Sequence, residues 1–159
     1  MNLLGADEVL QFAIRIEENG ERFYREMASI SSEEKLKKIF EILADEEVSH
    51  RETFEKMLAG VESYQPPESY PGEYFAYLRA YAEGVIFSPE VQEEARDALK
   101  DINSALNFAI RRELDSVLYY QEIKRLVPER EKETIENIIE EERKHFLRLK
   151  EVKKSLSGM

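Results

Sequence analysis

Both histidines of this chain close a Glu-x-x-His quartet, Glu47-Val48-Ser49-His50 and Glu142-Arg143-Lys144-His145. On a helix, residues three apart share a face one turn along, so each quartet offers a carboxylate and an imidazole side by side. Oxygen and nitrogen donors of these types bind divalent first-row metals. One quartet pointed inward is half of a two-metal site. The two quartets, 142 − 47 = 95 positions apart, imply that two halves meet in the fold.

Tracing the helical faces adds two more acids. Leu10, Ala13, Glu17, Gly20, Tyr24 and Met27 form one row, and Leu106, Ala109, Glu113, Ser116, Tyr120 and Ile123 another. Each carries a single carboxylate among residues suited to a core. The quartets lie on similar rows, Phe40, Leu43, Glu47, His50, Phe54 and Met57, and Ile135, Ile138, Glu142, His145, Leu149 and Val152. Glu46, Glu140 and Glu141 fall about 100° or more off these rows and are expected to face water. Four buried carboxylates repel one another unless protonated or bound to metal. Two divalent ions carry +4, which balances Glu17, Glu47, Glu113 and Glu142 with both imidazoles neutral; a redox-active pair of irons suits the same donors. With 34 acidic residues in 159, one such quartet means little. Two quartets on apolar rows, each matched by a lone core glutamate, mean a great deal.

These rows require long helices. Amphipathic patterns run from about Asp7 to Ile30, from a capping-box spacing at Ser31 and Glu34 to about Leu58, from about Asn103 to Leu126, and from Pro128 to about Lys154. A break from Gly60 to Gly72 carries Pro66, Pro67 and Pro71. Glu73 to Lys100 reads as two short helices, with Ser88-Pro89 as a helix start. No segment of strand length alternates with period two. The expectation is an all-α, four-helix bundle made of two αα-hairpins joined by one long crossover, in a single domain spanning residues 1–159.

An internal repeat supports two related halves. A shift of 96 aligns Phe12, Ala13, Ile14, Arg15, Glu17, Tyr24 and Glu26 with identical residues, seven of the fifteen positions in the window 12–26.

Composition excludes other chemistries. There is no cysteine, hence no disulfide, thiolate metal site or cysteine nucleophile. A net charge of −11 disfavours nucleic acid and attracts cations. The first residues lack the basic and apolar regions of a secretory signal, and no apolar run approaches the roughly 18–20 residues of a membrane span. A cytoplasmic protein without membrane contact is expected.

The order Glu17, Glu47-x-x-His50, Glu113, Glu142-x-x-His145 resembles the ferritin-like di-iron carboxylate proteins. The wording around Ile16–Tyr24 and Leu43–His50 is most similar to the rubrerythrin branch, and the resemblance covers almost the whole chain. It implies that Glu47 and Glu142 bridge two metal ions, with Glu17 and His50 serving one and Glu113 and His145 the other. It gives Tyr24 and Tyr120 the task of hydrogen-bonding ligand carboxylates. Iron is the metal it implies, with manganese or a mixed pair as alternatives. The implied activity is reduction of peroxide or O₂ at a di-iron centre. Iron oxidation, storage or sequestration, di-manganese catalase activity and a purely structural metal are the competing readings. Two positions depart from rubrerythrin. Ser116 stands where it has a second glutamate, and the four-cysteine rubredoxin module is absent, so electrons are expected from a separate donor protein. A homodimer is common among similar proteins. Tyr64, Tyr70, Tyr74, Tyr77 and Tyr81 of the crossover either line such an interface or cover the bundle.

Overall fold

The computed structural model describes residues 6–61, 72–86 and 88–158, and among these there is no strand. The long helices are α1 (Ala6–Ile30), α2 (Glu34–Gly60), α5 (Ile102–Ile123) and α6 (Glu129–Ser157). The shorter α3 (Gly72–Tyr81) and α4 (Pro89–Ala98) lie in the crossover. α1 packs chiefly on α2 and α5 on α6; the two hairpins meet through α1 against α5 and α2 against α6. This is the expected ferritin-like bundle. Tyr64 and Tyr70 lie outside the described residues, as does the side chain of Tyr74.

The helix ends show where local rules held. Ser88 caps α4, its hydroxyl accepting from the Val91 amide at 3.2 Å, with Pro89 at the first helical position. Asp101 caps α5 and accepts from the amides of Asn103 at 2.9 Å and Ser104 at 3.1 Å. Replacing Asp101 by alanine is expected to lower stability, read as a fall in the denaturant midpoint without a change in slope.

The Ser31–Glu34 capping box does not form. α2 begins only at Glu34, after an N-cap at Glu33 that makes no side-chain cap. Ser31 is buried and donates instead to the carbonyl of Met27 at 2.7 Å, closing α1 rather than opening α2. At the far end of α5 the helix stops at Ile123 and tightens into a 3₁₀ turn, Lys124–Leu126, before Pro128. Between the short helices lies a π-helical turn, Ala82–Ile86, for which the sequence carried no signal.

The core divides in two. One apolar cluster contains Leu10, Phe54, Tyr120, Ile123, Ile135 and Ile138. The other contains Met27, Phe40, Leu43, Leu106, Phe108 and Leu149. The six acids and imidazoles on the same four rows form the polar layer between them.

Candidate metal centre

Each long helix contributes to this layer from the middle of its apolar row: Glu17 from α1, Glu47 and His50 from α2, Glu113 from α5, and Glu142 and His145 from α6. All six are buried, Glu17 completely. Their donor atoms fall into two groups of four, Glu17–Glu47–His50–Glu142 and Glu47–Glu113–Glu142–His145. Within each group the atoms lie within 4.8 Å of one another. Glu47 and Glu142 belong to both. Five of the six residues in the row of α1 are fully buried, and Gly20 is half-buried; in the other three rows every member is buried.

The imidazoles face each other, with ring centroids 5.7 Å apart. Nδ1 of each points into the layer. His50 Nδ1 lies 2.9 Å from Glu142 Oε1 and 3.5 Å from Glu17 Oε2. His145 Nδ1 lies 3.2 Å from Glu47 Oε1 and 3.3 Å from Glu142 Oε2. Among the described residues, three buried side-chain polar atoms have no hydrogen-bond partner: Glu17 Oε2, Glu113 Oε2 and His145 Nδ1. Buried polar atoms are ordinarily satisfied. Here the orphans belong to a cluster whose four carboxylates and two imidazoles are what a pair of divalent cations takes, so the residues fit two metal ions.

Without metal, protons resolve the repulsion. Burial, reinforced by Glu47 and Glu142, holds the Glu17 carboxyl well above its ordinary range. Burial and Glu142 do the same to Glu113. Burial opposes charge on His50, but the adjacent Glu142 and Glu17 carboxyls overcome it and push the imidazole up to about 12. His145 moves the same way against burial, drawn up by Glu113, Glu142 and Glu46. Glu142 is held well below the usual range: burial would raise it, but the neighbouring Glu113, His145 and His50 prevail.

The tyrosines cross between halves. Tyr24 on α1 donates to Glu113 Oε1 on α5, and Tyr120 on α5 donates to Glu17 Oε1 on α1 at 2.5 Å. Each therefore braces the lone glutamate of the other half, not that of its own helix. Burial and the neighbouring carboxylates raise both phenols, so both stay protonated donors.

Two further residues were missed. Glu46 and Glu141, expected to face water, are indeed exposed at one edge, yet each reaches the outer nitrogen of a histidine across the bundle. Glu46 Oε2 is 2.6 Å from His145 Nε2, and Glu141 Oε2 is 2.5 Å from His50 Nε2. The helical wheel misled because a glutamate is long enough to bend back 100° toward the seam between α2 and α6. These contacts hold Nε2 as the donor and leave Nδ1 free to face the cluster. Replacing Glu46 and Glu141 together by alanine is expected to weaken metal binding by about 10–100-fold, measured by titration with Co²⁺. Glu140 behaves as expected, exposed and paired with Arg143.

Among the described residues, an opening reaches the cluster between α1 and α5. It is a cavity of about 10 Å³, lined among others by Gly20, Tyr24, Glu47, Arg112, Glu113 and Ser116. Gly20 matters here, since a Cβ would meet Glu47 Oε2 at 3.2 Å. A larger surface pocket of about 570 Å³ shares Arg112 and Ser116 with it.

The family model described as Rubrerythrin matches residues 8–153. A crystal structure from Thermotoga maritima, of a protein described as a candidate ferritin-like diiron-carboxylate protein, is similar over 99% of each chain, with 28% identity and a TM-score of 0.71. No curated protein matches the chain. No helix among the described residues is long and apolar enough to cross a membrane.

Proposed function

The chain belongs to the rubrerythrin family, and on that premise we propose that it is a non-haem di-iron redox protein that reduces H₂O₂ or O₂ with electrons from a separate donor. The observation that carries this reading is the pair of buried four-residue groups sharing Glu47 and Glu142, with their orphaned oxygens. Glu17 and His50 would hold one ion, Glu113 and His145 the other, and Glu47 and Glu142 both. A pair of irons held there supplies the electrons for a two-electron reduction.

The remaining work falls to the chain. Tyr24 and Tyr120 orient the lone glutamates and keep protons within reach of the site. Glu46 and Glu141 set the histidine tautomers. The two apolar clusters shield the layer from bulk water on either side. The opening at Gly20 and Ser116 is close to the size that holds one water, which favours a small oxidant over any organic substrate.

The test is to load the protein with Fe²⁺ without oxygen and compare its oxidation by H₂O₂ and by O₂. Faster oxidation by H₂O₂, with turnover restored by an added reductant, is expected of a peroxidase. Oxidation no faster with H₂O₂, and no turnover with any donor, would overturn that assignment. Metal analysis of protein made with iron and manganese both present separates the di-manganese alternative.

A further inference from the structure

Apolar side chains wall off the carboxylate–histidine layer, yet a line of phenols runs from it to the surface. At the inner end, Tyr120 donates to Glu17 Oε1. Its ring centroid lies 6.2 Å from that of Tyr119. Tyr119 stacks on Tyr81 at 6.4 Å, with the rings 5° from parallel. Tyr81 in turn stacks on Tyr77 at 6.3 Å, and Tyr77 is 54% exposed. Tyr77 and Tyr81 are one turn apart on α3, Tyr119 and Tyr120 are neighbours on α5, and the docking of α3 against the bundle joins the two pairs.

Tyrosine is among the side chains most readily oxidised by one electron, and this chain has neither tryptophan nor cysteine to compete. Tunnelling decays exponentially with distance, so several short steps outrun one long one. An oxidised phenol also releases its proton, so a relay station needs a base. Tyr81 has one, donating to Asp115 Oδ1 at 3.3 Å and to the Asp115 carbonyl at 3.2 Å. Tyr120 has Glu17 Oε1, which carries no proton once Glu17 serves as a metal ligand. Tyr119 donates its hydroxyl to the Val9 carbonyl at 3.2 Å. Its ring stands between those of Tyr81 and Tyr120 and couples them.

The internal repeat shows that packing alone does not require this line. At the shift of 96, Tyr24 matches Tyr120, but Phe23 matches Tyr119. Phe23 packs against Phe108 at 4.9 Å, and phenylalanine is far harder to oxidise. One half of the duplicated hairpin fills this position with an inert ring, and the other fills it with a phenol that meets a chain of phenols leading outward.

We infer that Tyr77, Tyr81, Tyr119 and Tyr120 form an electron path between the protein surface and the buried layer, entered at Tyr77 by a one-electron donor. The path rests on the redox function proposed above. In each passage Tyr120 gives an electron inward and its proton to Glu17. Tyr81 refills it through Tyr119 while passing its own proton to Asp115. Tyr77 refills Tyr81, and the donor refills Tyr77; each phenol recovers its proton as the electron arrives. One electron leaves the donor per passage. Two passages, with two protons from solvent, supply the reduction of H₂O₂ to two waters.

The absence of cysteine makes the test specific. Tyr77→Cys provides a single attachment point for a ruthenium polypyridyl photo-oxidant, which a laser flash makes oxidising without any peroxide. In metal-free protein the flash is expected to produce tyrosyl radical absorbance; in ferrous-loaded protein, oxidation of the bound iron. Adding Tyr81→Phe, which keeps the ring, is expected to slow both by at least about tenfold, and Tyr119→Phe by a smaller factor. Thermal melts verify that each variant is folded. Flash-driven rates unchanged in both variants would overturn the path, even if the protein reduces peroxide. A tyrosine-dependent transient in a protein that reduces no peroxide would establish the path and sink the peroxidase reading, so the two failures are distinguishable.

Discussion

Glu142→Ala is expected to abolish binding of both metal ions, whereas Glu113→Ala removes one. The reason is membership. Glu142 belongs to both four-residue groups, while Glu113 belongs to one. Glu142 also serves both histidines: it lies 2.9 Å from His50 Nδ1 and 3.3 Å from His145 Nδ1. Removing a carboxylate that only braces a ligand already lowers metal affinity by about 10–100-fold, so deleting the shared ligand should exceed that for each ion. Metal content after gel filtration, together with Co²⁺ titration followed by visible absorbance, gives the stoichiometry. The expected values are two ions for the parent, one for Glu113→Ala and none for Glu142→Ala. Glu140→Ala, on the exposed side of the same helix, serves as the control. One tightly held ion in Glu142→Ala would show that the two groups act independently and that no residue is shared.

Stripping the metals should reverse the pH dependence of stability. In metal-free protein the Glu17 and Glu113 carboxyls are raised above their unfolded value, so their protonated forms stabilise the fold. That contribution is complete below about pH 4.5 and declines as pH rises toward their folded values. His50, raised from 6.5 to about 12, contributes fully below about pH 6.5 and progressively less above it; His145 acts in the same direction. Glu142, held low, opposes this only in acid, where its contribution is lost as pH falls below about 4.5. Metal-free protein should therefore lose stability from about pH 5 to pH 9. Metal-loaded protein should gain stability over the lower part of that range, because the ions need deprotonated ligands.

Two carboxyls and two imidazoliums hold protons that the metals displace, so loading at neutral pH should release about four protons per metal pair. With each ion at about 100 times its Kd, binding adds about 2.7 kcal/mol per site. At roughly 2–4 °C per kcal/mol, the pair raises Tm by about 10–20 °C. Thermal melts at several pH values, with and without metal, and a pH-stat titration measure these quantities. A metal-free Tm that climbs between pH 5 and pH 8, or a release of fewer than two protons, would contradict this assignment of charge.

The centre was legible because its signal is local. Glu17 and Glu113 stand out only against Leu10, Ala13, Leu106 and Ala109, and that contrast needs nothing beyond the helical period. Gly20 and Ser116 were readable as small residues in the same rows, and the structure places both at the opening. Glu46 and Glu141 were not legible. Their Cα positions point away from the layer, and only the approach of α6 to α2 brings a histidine nitrogen within reach of a bent side chain. Ser31 was misread for a related reason. A serine before a helix can close the preceding turn as readily as open the next, and burial against α1 chose the former.

The same boundary runs through the whole protein. The all-α class, the long crossover, the duplicated hairpin and the six buried acids and imidazoles follow from periodicity, which acts along one helix at a time and is written in neighbouring residues. Which tyrosine braces which glutamate, which carboxylates serve both groups, how each histidine is held and whether phenols on α3 and α5 line up are relations between helices. They depend on crossing angle and axial register, which packing sets through contacts between residues far apart in the chain. Sequence spacing therefore determined the inventory of the centre, and tertiary packing alone decided its connections.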